Sequence, residues 1–261
     1  FAINDVDSRS FNKAKKILNA KKIIVKKYLL KNNAKKIYKK YFYSKKKCLP
    51  YVQGKIACSK DNFIKSKKKI ITNNFSKQVS HLLRRYNQGI LISSKTLNSD
   101  NSKLTCRLNG LEKYSPSRFI IDKNLSTKKK SFIICSAKKH KTYIFYNNDY
   151  KKKINYFRKK GVRLFRLKLN NEKQFDLKFV LTKVHELGIN NLLVEGGKKL
   201  TYNFLKNNLF NEFYLFKSKK NSNGKNKLNI TSELKLLSNK YKNKSKLNSF
   251  TNDDVIEIYT K

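Results

Sequence analysis

The chain has 261 residues, room for one large domain or for one domain and part of another, and its 39% hydrophobic content suits a packed core rather than a disordered chain. Its 63 Lys and Arg against 16 Asp and Glu give a formal charge of +47. Only eight of those cations are arginine and they run end to end without an aromatic-interleaved cluster or recognisable module, so dedicated nucleic-acid binding is not expected.

The abundance of Lys, Asn, Ile, Phe and Tyr, with 8 Gly, 2 Pro and no Trp, follows A/T-rich codons rather than a ligand. Cys48, Cys58, Cys106 and Cys135 show no metal or disulfide spacing and read as reduced small apolar residues in a cytoplasmic chain. No apolar run approaches the roughly 18 residues of a membrane helix, and no signal peptide is expected. With no Met even at its first position, the chain is expected to be a fragment or processed form of something longer.

Along the chain, FAI and KKIIV read as strands, and FNKAKKILNA and LLKNNAKKIYKKYFY as helices. Pro50 then bars helical continuation, which sets a boundary between residues 1–48, a small α/β piece, and residues 49–261. Beyond it the strand candidates are YVQGKIAC, QGILISS, RFIID, SFIICSA, YIFY, VRLFRLKL, NLLVE, EFYLFK and VIEIY. Helix candidates SKQVSHLLRRY, KKKINYFRKKG, DLKFVLTKVHELG and KLTYNFLKNN fall between them. Such alternation predicts an α/β fold with a mainly parallel sheet flanked by helices, and ligands at the carboxyl ends of its strands. The polar stretch over residues 221–248 reads as a surface excursion with weak structure.

Three constellations stand out. NLLVEGGKKLTYNF runs from a strand through Gly196 and Gly197 into a helix, a geometry that offers backbone N–H groups and partial positive charge to a phosphate, although taken alone an ordinary tight turn explains it better. GILISSKTLNSDNSKLTCR carries a strand into a polar loop holding Asp100 and ending at Arg107, readable as a ligand loop or a solvated one. SHLLRRYNQG ends a helix on Arg84 and Arg85, scarce guanidinium groups that suit phosphate or simply lie at the surface.

Taken in order, these segments resemble the reductase domain of the bifunctional riboflavin-biosynthesis deaminase/reductase family. PYVQGKIACSKDNFI is similar to the family's first strand and turn, IITNNFSKQVSHLLRRYNQGILISSKTLNSDNSKLTCR to its I-T…R…T-V-x-x-D…L-T-x-R region, PSRFIID to its P-x-R-x-V-x-D strand, and LLVEGGKKL to its V-E-G-G-x-x-L segment. The upstream piece resembles the end of the deaminase domain, without its H-x-E and P-C-x-x-C zinc motifs. Zinc would therefore belong only to a deaminase part that this chain lacks.

The resemblance implies a dihydrofolate-reductase-like sheet preceded by a remnant of a cytidine-deaminase-like domain. It implies an NADPH-dependent reductase acting on 5-amino-6-(5-phosphoribosylamino)uracil, and a homodimer with a small-molecule substrate and no membrane. Carried over by position, Asp100 and Glu195 are the catalytic candidates. Arg84, Leu104, Arg107, Glu195 and Lys68 are substrate-binding candidates. Ala57, Thr96, Asp100, Gly197, Lys198, Lys199, Leu200, Thr201, Tyr202 and Asn203 are cofactor-binding candidates, and no metal ligand is implied. The chain departs from the family where Lys68 replaces a serine, Ile70 an aromatic, Asn62 a glycine, and Asn101–Ser102 an Asp-Pro. An inactive remnant and a lysine-rich RNA-binding protein are the competing readings.

Overall fold

The computed structural model describes residues 1–7, 9–64, 72–222, 228–248 and 254–261. The chain divides into two compact units. Residues 1–51 with 181–190 form the smaller, and residues 52–180 with 191–261 the larger.

In the smaller unit, helix α1 (Lys13–Ala20) is followed by α2 (Lys31–Ile37) and α3 (Lys39–Lys47). The expected helix over residues 29–43 is thus two, broken at Tyr38. Neither FAI nor KKIIV forms a strand among the described residues. Phe1 instead accepts a single ladder-like bond from the Tyr28 N–H, at 2.9 Å, and sends its terminal amine to the Lys26 carbonyl. Two short apolar runs without further strands to pair with cannot sustain a sheet.

The larger unit is built on a sheet of nine strands among the described residues: β1 (Tyr51–Cys58), β2 (Gly89–Ser93), β3 (Ser117–Ile121), β4 (Thr142–Tyr146), β5 (Arg163–Arg166), β6 (Asn191–Glu195), β7 (Glu212–Ser218), β8 (Asn243–Asn248) and β9 (Asp254–Thr260). Their spatial order is β5-β4-β3-β2-β6-β1-β7-β9-β8. The chain starts at β1, travels outward through β2 to β5, and returns to insert β6 between β2 and β1. Pairing is parallel from β5 to β6 and between β1 and β7, and antiparallel at the β7–β9–β8 edge.

The helices are α4 (Asn74–Tyr86), α5 (Ser94–Asp100), α6 (Phe132–Cys135), α7 (Lys151–Lys159), α8 (Leu177–Glu186), α9 (Lys198–Lys206) and α10 (Thr231–Lys240). Parallel strands covered on both faces are apolar along their whole length, which is why Ile90, Leu91, Ile92, Phe119, Ile120, Ile144 and Phe145 are all buried. Phe119 stacks on Tyr143 at 4.7 Å, and each such fully buried side chain contributes about 1.5–3 kcal/mol.

In the larger unit three further expectations are corrected. SFIICSA forms the short helix α6 instead of a strand; its apolar run is buried in either geometry, so burial alone did not discriminate. The polar loop after β2 is partly helical, as α5, because the Ser93 side chain caps it by accepting from the Thr96 N–H. The excursion over residues 221–248 contains α10 and the edge strand β8. Lysine and asparagine on an exposed edge hide the two-residue alternation that marks strands, and they also discourage edge-to-edge association.

Candidate functional site

Because β6 is inserted between β2 and β1, the sheet has a point where the chain's direction of travel reverses, and Glu195 ends β6 there. A cavity of about 560 Å³ opens at this place, lined by Lys55 and Ala57 of β1, Ile92 of β2, Thr96 and Asp100 of α5, and Glu195 with Gly196. Residues separated by up to 141 positions in sequence, from Lys55 to Gly196, are brought to one wall by the strand order.

Glu195 is gripped by Arg84 of α4. The guanidinium donates from Nε to Oε1 at 2.8 Å and from Nη2 to Oε2 at 2.9 Å, and from Nη1 to the Thr105 carbonyl at 3.2 Å. Only 12% of the Arg84 side chain and 15% of Glu195 are exposed, so the pair works in a poorly screened setting. Burial alone would raise the Glu195 pKa. The Arg84 charge and hydrogen bonds, followed by Lys55 and His81, outweigh it and hold the carboxyl below its usual range.

Lys55 is not among the candidates that the sequence offers, yet it faces the same cavity. Burial and the repulsion of Arg84 lower its pKa, while Glu195 pulls the other way. The signal that could have found it is a charged residue inside YVQGKIAC, a strand whose neighbours Gly54 and Ile56 are buried.

His81 lies one helical turn before Arg84, and its Nδ1 accepts from the Arg107 backbone N–H at 3.2 Å. Burial, with Arg84 and Arg107 close by, pushes its pKa down to about 4. His81 and Arg84 thus hold the segment 105–107 from one face of α4. Folding lowers the His81 pKa below its unfolded value, so the unfolded chain binds the extra proton between about pH 6.5 and 4. Stability is expected to fall with acidification through that window. His81→Asn, which cannot titrate there, should flatten this part of a urea-midpoint profile, and an unchanged slope would refute the assignment.

The remaining candidates are distributed as follows. Arg107 is exposed and lines a different cavity, yet its pKa is lowered by burial and by Arg84 while Glu195 opposes, so it lies within electrostatic reach of the pair. Leu104 has a left-handed backbone, φ 56°, and a fully buried side chain in the core, which leaves only its backbone for a ligand. Lys68 and Ile70 lie outside the described residues. Gly197 is the N-cap of α9, where no side chain caps the first turn. On that helix Lys198 and Lys199 lead, Leu200 and Thr201 turn into the core, Tyr202 is exposed, and the Asn203 side chain donates to Gln174 at 3.3 Å. Lys198 is 4.0 Å from Glu233. At two of the departures, Asn62 and Asn101 adopt left-handed backbones, φ 62° and 43°, which asparagine tolerates better than most other side-chain-bearing residues.

The paired glycines have a more local cause than ligand approach. A Cβ on Gly196 would sit 2.3 Å from Thr201 Oγ1, and one on Gly197 2.6 Å from Thr96 Oγ1. Neither needs a left-handed backbone. The turn is tight because a helix start and α5 pack directly on it. Gly197→Ala is accordingly expected to cost about 1–3 kcal/mol without any ligand. Adding Thr96→Ala should recover most of that loss in a double-mutant cycle read by chemical denaturation, and additive losses would reject the packing explanation.

Among the described residues no group of three His, Cys, Asp or Glu is arranged to hold a metal, and no helix is long and apolar enough to cross a membrane.

The RibD C-terminal domain family matches residues 50–218. The riboflavin biosynthesis protein RibD of Actinobacillus pleuropneumoniae is 30% identical over 179 residues, 67% of this chain and 47% of that protein. The RibD of Aquifex aeolicus (strain VF5) is 31% identical over 170 residues, 64% and 46% of the two. The chain thus spans about half the length of these relatives. In fold it is similar to Acinetobacter baumannii RibD, with a TM-score of 0.80 at 18% identity over 99% of this chain and 71% of that one. It is also similar to the Saccharomyces cerevisiae riboflavin biosynthesis reductase, with a TM-score of 0.63 at 19% identity over 82% and 90%. With the match spanning well over half its length, the chain belongs to the RibD C-terminal domain family.

Proposed function

We propose that this chain is the reductase of riboflavin biosynthesis that converts 5-amino-6-(5-phosphoribosylamino)uracil to its ribitylamino product with NADPH, and that residues 1–48 are the tail of a deaminase-like domain. The observation that carries the reading is the Arg84–Glu195 pair at the cavity wall, with Lys55 beside it and Thr96 and Asp100 across α5. A Thermotoga maritima neighbour of similar fold carries the name of a deaminase and 5-amino-6-(5-phosphoribosylamino)uracil reductase.

The residues present suit a nicotinamide dinucleotide. The uncapped first turn of α9 carries Lys198 and Lys199 and no acid, which favours a phosphate, and small Ala57 leaves the β1 side of the cavity open. When bound, the nicotinamide supplies the hydride to the sugar C1. Adding hydride there breaks the bond from C1 to the ring oxygen, and that oxygen must gain a proton as the ribose opens to ribityl.

Lys55 is the group suited to give that proton. Burial lowers its pKa and so eases release, while the Glu195 charge keeps the ammonium populated. Glu195, held ionised by Arg84, accepts hydrogen bonds from the substrate and fixes its orientation. Arg84 spends three N–H groups on protein, so it acts chiefly by positioning Glu195, and exposed Arg107 is the better placed of the two arginines for the substrate phosphate.

The direct test is NADPH oxidation, followed by absorbance, with the deaminated ribosylaminopyrimidine phosphate. Turnover by the wild type, lost in Lys55→Met, is expected. A folded wild-type chain that does not oxidise NADPH with this substrate would overturn the proposal.

A further inference from the structure

Helix α5 supplies three residues to the wall of the Glu195 cavity, Thr96, Ser99 and Asp100. At roughly 3.6 residues per turn these share one side of the helix, while Ser94, Asn98 and Asn101 share the opposite side. Leu97 lies between the two and is buried in the core. A helix of seven residues has too few internal bonds to be stable by itself, so its place depends on what grips it. On the cavity side Thr96 packs against the glycine turn, its Oγ1 2.6 Å from where a Gly197 Cβ would stand.

The far side is joined to the loop that follows β3, and half-buried Asn98 is the centre of the seam. Its Nδ2 donates to the Ser126 carbonyl at 3.0 Å, and its Oδ1 accepts from the Lys128 N–H at 3.1 Å. A carbonyl and an N–H two residues apart are what one residue of a neighbouring parallel strand would bind, so this side-chain amide acts as a borrowed peptide group. One helical turn to either side, the Ser94 and Ser126 hydroxyls lie 3.0 Å apart, and Asn101 Oδ1 accepts from the Phe132 N–H at 3.0 Å.

The loop can anchor α5 because it is itself fixed. Fully buried Asp122 accepts through Oδ1 from the Ser126 N–H at 2.7 Å and hydroxyl at 2.8 Å, and through Oδ2 from the Thr127 N–H and hydroxyl, both at 2.7 Å. Leu125 and Thr127 are buried beside it. A bonded path thus runs from the end of β3 through the loop to Asn98, and through α5 to Thr96 and Asp100.

We propose that Asn98 is a positioning residue: it clamps the back of α5 to the loop after β3 and so fixes Thr96 and Asp100 at the cofactor wall. The inference rests on the reading of this cavity as the NADPH site. Asn98 does not itself line the cavity. Leucine in its place keeps the size and loses both bonds, which frees α5 while Lys55 and Glu195, held on β1 and β6, stay where they are.

The test has two arms on the full chain. In the first, Asn98→Leu is expected to raise the KM for NADPH, and its Kd read by NADPH fluorescence, about tenfold, with kcat within about threefold of wild type. The same substitution in a Thr96→Ala, Asp100→Ala background should weaken NADPH binding less than about threefold, because the groups that Asn98 positions are then gone; a general structural defect would cost the same in both. In the second arm, hydrogen exchange without cofactor should show the α5 amides losing protection in Asn98→Leu while those of β3 keep theirs. Unchanged exchange over α5, equal losses of affinity in the two backgrounds, or a lowered kcat with an unmoved KM would each overturn the proposal. A wild-type chain that binds no NADPH, with α5 still loosened by Asn98→Leu, would refute the reductase reading and support the clamp.

Discussion

Glu195→Ala is expected to lose both turnover and stability, whereas Glu195→Gln should lose mainly turnover. A carry-over from family position alone predicts a pure activity defect with the fold intact, for Glu195 and Arg107 alike. The geometry separates the two. Arg107 is exposed, so Arg107→Ala should leave stability near wild type. Glu195 neutralises an arginine that is 12% exposed and bonded to it twice. Removing the carboxylate strands that cation, a change that costs on the order of 3 kcal/mol in a largely buried pair. Glutamine keeps one oxygen to accept from Arg84 and so retains part of that energy.

The same substitutions act on Lys55. Burial and Arg84 lower its pKa, and only Glu195 opposes them. With the carboxylate charge gone, the Lys55 pKa should drop further. The alkaline limb of the rate profile in Glu195→Gln should then move to lower pH, with kcat at pH 7 reduced about a hundredfold or more. Urea unfolding together with NADPH oxidation from pH 6 to 9 reads both effects. Wild-type kcat in Glu195→Gln would remove Glu195 from the site, and a lowered kcat with an unmoved alkaline limb would remove Lys55 as proton donor.

Much of the sheet is legible in the sequence because parallel strands covered on both faces must be apolar throughout. YIFY and NLLVE have few alternatives, and both emerge as strands, the first with Thr142 added at its start. SFIICSA carries the same apolar signal and becomes a helix, since four residues are too few for a periodicity to show. At the other extreme, β8 reads NKSKLN on an open edge, where nothing needs to be apolar. Site legibility divides along similar lines. Glu195, Thr96 and Asp100 stand out as polar residues just beyond apolar strands, and they do share a cavity. Lys55 escapes because one lysine among 63 Lys and Arg carries no compositional signal; only the burial of its strand makes it unusual. Arg84 is legible as a scarce guanidinium, but its partner Glu195 lies 111 residues away, and only the insertion of β6 beside β2 brings the two together.

Arg118→Ala is expected to be the most destabilising single substitution considered, at about 4 kcal/mol, a large share of the roughly 5–15 kcal/mol that holds a typical domain together. Two costs add. The largest fully buried side chain among the described residues leaves a cavity beside the sheet. The oxygens it solvates also lose a donor, and the two hydroxyls among them already donate elsewhere, Ser136 to the Phe132 carbonyl at 2.6 Å and Thr142 to the His140 carbonyl at 2.8 Å. Arg118→Lys should recover only part of the loss. An ammonium has three donors and no planar fork, whereas the guanidinium reaches Thr142 from both Nε and Nη2 while Nη1 turns to Ser136. Arg118→Met tests the balance between the two costs. It restores most of the volume and none of the donors, so a near-complete rescue by methionine would make packing the dominant role, while a loss close to that of alanine would make solvation of the buried oxygens dominant. The second outcome is expected, because burial lowers the Arg118 pKa only to about 10 and so leaves it charged at neutral pH. A charge retained in the core with no carboxylate partner among the described residues requires its five oxygen partners, the Thr142 and Ser136 hydroxyls and the Ile133, His140 and Lys103 carbonyls, to act as strong acceptors, so its deletion is felt through hydrogen bonding more than through space filling.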